Sequence, residues 1–158
     1  MDKGLFIKMV LGAWDIRVAQ LDKLFDELPD EQLQKEIAPG KNTGVYILGH
    51  LTAISNRMIP LLGLGNELHP GLFKTFVDTP EKEIVTQPSV KELRKAWSDI
   101  NSELKNLFAR VQPDEWFEKH SSISDEDFAK EPHRNKLNVV ITRTCHLDYH
   151  AGQLVLLR

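Results

Sequence analysis

The stretch SVKELRKAWSDINSELKNLFARV, residues 89–111, carries the most regular apolar pattern in the chain. Its apolar residues recur every three or four positions, which places them on one face of an α-helix. These residues are Leu93, Trp97, Ile100, Leu104, Leu107 and Val111. Ser89 and Glu92, directly after Pro88, match a capping box, in which both side chains pair with free backbone amides at a helix start. The stretch therefore predicts an amphipathic helix with a defined beginning.

An N-terminal stretch, residues 7–28, shows the same spacing, and Pro29 ends it. Charged residues lie mostly between its apolar positions. Those positions are Ile7, Leu11, Trp14, Val18, Leu21, Phe25 and Leu28. The pattern predicts an amphipathic helix of about six turns. We expect Trp14, like Trp97, to lie in the core.

A second stripe, residues 47–61, begins after Asn42 and Thr43, either of which could cap a helix. Its members are Ile47, Leu51, Ile54, Met58 and Leu61, and the stripe ends in Gly63 and Gly65. Pro60 lies inside this stripe. Because proline cannot donate to the helix ladder, we expect a kink or an early end around residues 56–60.

The last helical stretch begins at about Asn135 or Leu137 and runs to the C-terminus. It contains no proline, and its only glycine is Gly152. Its core seam is Leu137, Val140, Thr144, Leu147, Ala151 and Leu154. Nowhere in the chain does a run of alternating apolar and polar residues, or an Asn-Gly or Asp-Gly hairpin turn, indicate a sheet.

Four helices of roughly 20 residues, each about 30 Å long, predict an all-α four-helix bundle. The connections are long for a simple up-down bundle. They span about 14 residues (29–42), about 25 residues (64–88) and about 22 residues (113–134). Connections of this length indicate crossovers or a covering layer at one end of the bundle.

Composition limits the class of protein. The chain has 158 residues, 41% of them hydrophobic, which is enough for one core, so we expect a single domain over residues 1–158. The net charge of −3 comes without a block of five like charges, which argues against nucleic-acid or anionic-membrane binding through bulk electrostatics. Neither a signal peptide nor a membrane span is predicted, so the cytoplasm is the expected location.

Cysteine content limits the metal chemistry. The single Cys145 excludes an internal disulfide, and it excludes zinc sites built from four cysteines or from two cysteines and two histidines. Any metal site must therefore draw on the six histidines and the carboxylates.

Two segments of the chain resemble each other. Residues 21–33 and 104–117 share apolar residues at three spacings followed by Pro-Asp-Glu, with one residue inserted in the second copy. Each copy comprises a helix, a proline stop, a polar loop and a second helix that carries histidine. This similarity favours a pseudo-twofold pair of helical hairpins over a chance match.

Three histidines point to one site. His146 and His150 are four residues apart, so they lie on one helix face and could bind one metal, although surface or hydrogen-bonded histidines show the same spacing. Arg143 and Gln153 extend them into a polar stripe beside the core seam. His50 borders the apolar stripe of a pseudo-related helix, and the combination favours a facial tri-histidine site.

These motifs resemble those of the DinB/YfiT-like superfamily of metal-dependent enzymes. The motifs are Gly49-His50-Leu51, His146-x3-His150-x-Gly152-Gln153, the Leu-Pro-Asp-Glu-x-Leu turn and Pro39-Gly40-Lys41-Asn42. The resemblance covers nearly the whole chain. Its most specific part is the spaced histidine triad with the trailing Gly-Gln.

The resemblance implies an up-down-down-up four-helix bundle, often dimeric, with a divalent metal held by His50, His146 and His150. Characterised relatives include S-transferases that use low-molecular-weight thiols such as bacillithiol and mycothiol, and a thiol-dependent isomerase. Neutral imidazoles suit Zn²⁺ or Ni²⁺, and three protein ligands leave positions open for water or substrate. Such a metal can lower the pKa of a bound water or thiol towards neutrality.

We therefore expect a small cytoplasmic metal-dependent enzyme that acts on a small molecule, by thiol transfer or by hydrolysis. The alternative from another class is a helical bundle, with or without metal, that acts by association. A third interpretation is a small-molecule-binding protein without turnover. No Asp or Glu lies one helical turn from His50, His146 or His150, so the sequence does not identify a general base.

The remaining candidates receive structural interpretations. Three histidines in predicted loops have no partner at metal spacing and are expected at the surface: His69, His120 and His133. Cys145 lies about 100° around the helix from His146, and we expect a packed small hydrophobe there. Asp148 is expected on the opposite face from both histidines of its helix.

Four residues keep two open roles each. Arg17 either reaches an anionic substrate group or pairs with an acid at the bundle surface, and we favour the pairing. Gln153 either hydrogen-bonds a ligand or substrate, or caps a neighbouring loop. Phe73 and Phe76, in the connection 64–88, either cover the site or bury in a partner subunit of a homodimer.

Overall fold

Each of the four apolar stripes forms a long helix in the computed structural model, which describes residues 2–158. The helices are α1 (Lys3–Glu27), α2 (Asp30–Leu33), α3 (Gly44–Leu61), α4 (Val90–Phe108), α5 (Asp125–Lys130) and α6 (Lys136–Leu154). Over the same residues no β-strand is present, which confirms the all-α prediction. Across that part of the chain, no helix combines the length and apolar character needed to cross a membrane.

The long helices begin at side-chain caps. The capping box of Ser89 and Glu92 is present at the start of α4. Thr43, rather than Asn42, caps α3, and its hydroxyl accepts a hydrogen bond from the Tyr46 amide at 3.2 Å. Asn135 caps α6, and its side chain accepts a hydrogen bond from the Asn138 amide at 2.9 Å.

The end of α3 lies at the first of the two glycines that follow its apolar stripe. The helix is continuous through Pro60 to Leu61, so of the two outcomes expected around residues 56–60, a kink or an early end, the early end does not occur. Gly63 ends the helix, with a φ of 72° that favours glycine. The Gly63 amide donates to the Pro60 carbonyl at 3.1 Å, and the Leu64 amide donates to the Ile59 carbonyl at 2.9 Å. This hydrogen-bond pair is a Schellman motif, which satisfies the last carbonyls of the helix.

Contacts between helix ends fix the direction of each helix. Arg158, just past α6, donates to the carboxylate of the last residue of α1 at 2.7 Å. Arg94, near the start of α4, donates to the carbonyl of Leu28, just past α1. Gly44, the first residue of α3, lies against Leu157, just past α6. Helices α1 and α6 therefore run one way and α3 and α4 the other, which is the expected up-down-down-up topology.

The packing agrees with the internal repeat. Helix α1 packs chiefly against α6, and α3 packs chiefly against α4. A twofold rotation that superposes the first hairpin on the second places α1 on α4 and α3 on α6. This rotation therefore maps one packed pair of helices onto the other. An isolated antiparallel bridge precedes the second helix of each hairpin. The bridges join Glu36 to Thr43 and Lys119 to Asn135, and each ends at a helix cap.

The core and the long connections position the site. Trp14 and Trp97 are 2% and 3% exposed, which confirms their core assignment. The connection 64–88 contains a π-helical turn, Lys74–Asp78, which places Phe76 in the core of its own chain. Phe76 is therefore not available to a partner subunit. Phe73 is half-buried beneath the guanidinium of Arg57, 5.4 Å from the ring centre.

Candidate metal centre

The three histidines singled out in the sequence converge between α3 and α6. The Nε2 atom of His146 lies 3.2 Å from Nε2 of His50 and 3.0 Å from Nε2 of His150. One ring nitrogen from each residue lies within 4.8 Å of the other two, and all three side chains are half-buried. The fold thus brings together one histidine from the first hairpin and two from the second.

A glycine allows the crossover segment to reach this cluster. Gly49 precedes His50 on α3, and a Cβ atom at Gly49 would overlap the ring of Phe76. Without that Cβ the Phe76 ring packs directly on the helix, and its backbone carbonyl accepts a hydrogen bond from Nδ1 of His50 at 2.9 Å. The turn Lys74–Asp78 therefore covers His50 from one side.

Hydrogen bonds on the outer nitrogens orient two of the rings. Nδ1 of His50 faces the Phe76 carbonyl, and Nδ1 of His150 faces Oε1 of Gln153 at 2.7 Å. Because these oxygens only accept, both Nδ1 atoms carry hydrogen, and both neutral rings direct an Nε2 lone pair at the cluster. A ligating histidine is commonly held by such an outer hydrogen bond. Gln153 thus contacts a candidate ligand, one of the two roles that the sequence left open.

The donor set fits a divalent cation. Two Nε2 lone pairs point at Nε2 of His146, while Nδ1 of His146 is buried without a hydrogen-bond partner within residues 2–158. With its proton on Nδ1, His146 would present a third lone pair to the same point. Three converging lone pairs repel one another unless a cation lies between them, and three imidazole nitrogens suit borderline metals such as Zn²⁺ or Ni²⁺.

Burial keeps the histidines neutral. It lowers the pKa of His50 and of His150 below the usual value of 6.5. It also lowers the pKa of His146 to about 4, with further contributions from His150, His50 and Arg143. At neutral pH all three rings are therefore in the unprotonated state that binds metal.

The other candidates lie outside this cluster. Arg17 forms an ion pair with Asp148 at 2.7 Å, so it pairs with an acid as favoured from the sequence. Cys145 is exposed, and the expectation of a packed residue is wrong, because its position on α6 faces outward from the bundle. None of the remaining histidines joins the cluster. His133 is exposed, and His69 and His120 are half-buried.

Sequence reasoning missed two neighbours of the cluster. The ring of Tyr46 is stacked on His50, with centres 6.4 Å apart and planes 13° apart, and its hydroxyl donates to the Thr79 carbonyl at 3.1 Å. The Phe76 carbonyl, a backbone group, has no signature in the sequence. The glycine directly before His50 was the available signal, since a buried helical glycine indicates a close approach.

Comparison with known families agrees with this geometry. A family model described as the DinB superfamily matches residues 13–154. The matched span contains all three clustered histidines and Gln153. No curated protein matches the chain significantly.

Proposed function

The chain belongs to the DinB superfamily, and from this premise we propose that it is a metal-dependent enzyme whose divalent ion is held by His50, His146 and His150. The observation that carries the proposal is the convergence of the three Nε2 atoms. The all-nitrogen donor set favours Zn²⁺ or Ni²⁺ over harder cations such as Mg²⁺.

The reaction we propose is transfer of a low-molecular-weight thiol to an electrophile, with hydrolysis as the second possibility. When bound, the metal supplies Lewis acidity that lowers the pKa of a thiol or a water. The protein contributes three neutral ligands, and the Phe76 carbonyl and Gln153 hold two of their rings in place. The cluster within residues 2–158 contains histidines only. A thiol with a lowered pKa needs no protein base, which favours thiol transfer.

The cytoplasm is the compartment that we propose for this reaction, since a thiol substrate stays reduced there. A transfer assay tests the activity. Protein purified without a histidine tag should conjugate small thiols to 1-chloro-2,4-dinitrobenzene, lose that activity with a chelator and regain it with Zn²⁺ or Ni²⁺. His146→Gln should be inactive and His133→Gln fully active. Full activity after complete metal removal would exclude the metal-dependent reaction.

We also propose that the chain forms a homodimer through the outer faces of α1 and α6. Leu5, Met9 and Ile16 are spaced by four and seven residues, so they form one exposed apolar stripe on α1. Tyr149 and Leu156 are exposed on the C-terminal part of the adjacent α6 and beyond its end. Such a two-helix surface could pack on its own copy, as the resemblance implies. In the alternative function, an interaction module, this surface would bind another protein.

A further inference from the structure

We propose that Arg143 forms an anion subsite beside the metal centre, and that the substrate accordingly carries an oxyanion group, a carboxylate or a phosphate. This inference rests on the metal-dependent function proposed above and names the class of molecule that the site accepts. It draws on the position, the burial and the missing partner of one guanidinium.

Arg143 lies on the histidine face of α6. It precedes His146 by three residues, so the two Cβ atoms are about 5–6 Å apart on one face of the helix. The charge of Arg143 helps to lower the pKa of both His146 and His50, which lie on different helices. Arg143 is half-buried on the helix face that carries His146 and His150, and its Nε atom is buried, so the guanidinium lies on the side of α6 where the histidines meet.

The charge of Arg143 has no partner in the chain. Its Nε atom is buried without a hydrogen bond, and in the part of the chain from 2 to 158 no carboxylate oxygen lies within 4.0 Å of the guanidinium. Of the six other arginines, Arg110 is exposed. The remaining five form ion pairs with carboxylates: Arg17, Arg57, Arg94, Arg134 and Arg158. Half-burial of an unpaired charge costs stability, and burial lowers the pKa of Arg143 itself.

The surrounding charge selects an anion. The clustered histidines are neutral at pH 7, and the cluster within the described residues contains no carboxylate, so a bound divalent ion and Arg143 would leave the site strongly positive. A guanidinium pairs best with carboxylate or phosphate oxygens. The three-residue spacing of Arg143 and His146 places both on one helix face, which suits a small molecule that carries a thiol and an oxyanion.

Cobalt-loaded protein provides the test, because a thiolate bound to Co²⁺ gives a charge-transfer absorption band. The probes are 3-mercaptopropionate and its neutral match, 3-mercaptopropionamide. Wild-type protein should bind the carboxylate probe at least tenfold more tightly than the amide. Arg143→Gln should lose that preference while it keeps its cobalt stoichiometry and its affinity for the amide. Arg110→Gln, the control, should behave as wild type.

Competition separates the two oxyanions: phosphate or acetate, whichever matches the subsite, should weaken binding of 3-mercaptopropionate more than binding of the amide. Equal affinity of wild type for both probes, or a preference that survives in Arg143→Gln, would overturn the subsite.

If cobalt is not taken up, the function proposed above fails instead. The subsite is then tested in metal-free protein by the NMR shift of the Arg143 Nε–H with acetate or phosphate. A saturable shift is expected, and no shift with either anion overturns it.

Discussion

Nδ1 of His50 lies 2.9 Å from the backbone carbonyl oxygen of Phe76 and donates a hydrogen bond to it. The contact joins the crossover segment to the candidate metal centre, and it fixes which nitrogen of His50 faces the other histidines. At Glu81, the crossover segment also contacts the residue that caps α3, because the Glu81 carboxylate accepts hydrogen bonds from the amide and the hydroxyl of Thr43. The position of the crossover therefore sets the orientation of a candidate ligand.

Gly49→Ala tests this dependence. The added methyl group would collide with the buried Phe76 ring, so the turn Lys74–Asp78 must move away from α3. We expect a loss of about 1–3 kcal/mol in the free energy of unfolding. We also expect metal affinity to fall by at least tenfold, because His50 loses its hydrogen-bond acceptor. Urea unfolding and competition with a chromophoric chelator measure the two effects.

Gly152→Ala is the matched control. Gly152 lies next to the site on α6, but a Cβ atom there meets nothing within 4 Å. Replacement of an exposed helical glycine should raise stability by up to about 1 kcal/mol and leave metal affinity unchanged. If both variants lose metal affinity equally, the loss does not arise from the displacement of Phe76.

Gln153→Ala removes the acceptor that orients His150. Loss of an outer hydrogen bond to a metal ligand typically costs 10–100-fold in affinity, so a fall of about that size is expected. Gln153→Glu keeps an acceptor at this position and should retain the affinity within a few fold. Chelator competition at fixed pH compares the three proteins, and equal affinity of Gln153→Ala and wild type would remove Gln153 from the site.

Asp22 should make the free energy of unfolding of the wild-type protein depend on pH, and Asp22→Asn tests this dependence. Burial raises the pKa of Asp22 above 3.8, with a smaller effect of Asp26 in the same direction, although the Trp97 indole donates to Asp22 at 2.6 Å. The native state therefore takes up this proton at higher pH than the unfolded chain. The contribution of Asp22 to the free energy of unfolding should rise as pH falls through the native pKa and level off below about 3.8.

Asparagine keeps an acceptor for the Trp97 indole but does not ionise. Asp22→Asn should be more stable than wild type at pH 7, and its advantage should shrink as the wild-type carboxyl becomes protonated. Urea unfolding of both proteins across this pH range gives the difference directly. A difference that does not change with pH would contradict the assigned shift.

Met9→Glu tests the proposed dimer. A charge in the exposed apolar stripe of α1 should prevent burial of that stripe against a second copy. Sedimentation equilibrium should show a dimer for wild type and a monomer for Met9→Glu. Lys8→Glu, which changes charge on a different face of α1, should leave the dimer intact. A wild-type monomer at micromolar concentration would exclude the homodimer.

The long helices could be predicted because their signals are local. Apolar spacing and side-chain caps act within one turn, and the structure confirms the predicted capping box of Ser89 and Glu92. The pairing of His146 with His150 likewise follows from helix geometry. Their meeting with His50 depends on how α3 packs near α6, for which the internal repeat and the family resemblance supplied the only signals.

The early end considered for α3 and the packing expected of Cys145 fail for the same physical reason, since each treated a residue type as decisive where its surroundings decide. Pro60 removes only its own amide, and the Schellman motif centred on Gly63 sets the end of α3. Cys145 was expected to pack, yet its position faces solvent, where a small side chain costs little. The Phe76 carbonyl could not be predicted, because a backbone contact between distant segments has no residue pattern.

The metal content of protein purified without a histidine tag tests the central claim most directly. Mass spectrometry of the metals should find about one Zn²⁺ or Ni²⁺ per chain in wild type and in His133→Gln. His146→Ala should contain almost none, because it removes the histidine whose Nε2 lies 3.2 Å and 3.0 Å from the other two. Unchanged metal content in His146→Ala, or a wild-type protein that takes up no divalent ion, would contradict the assignment of the site.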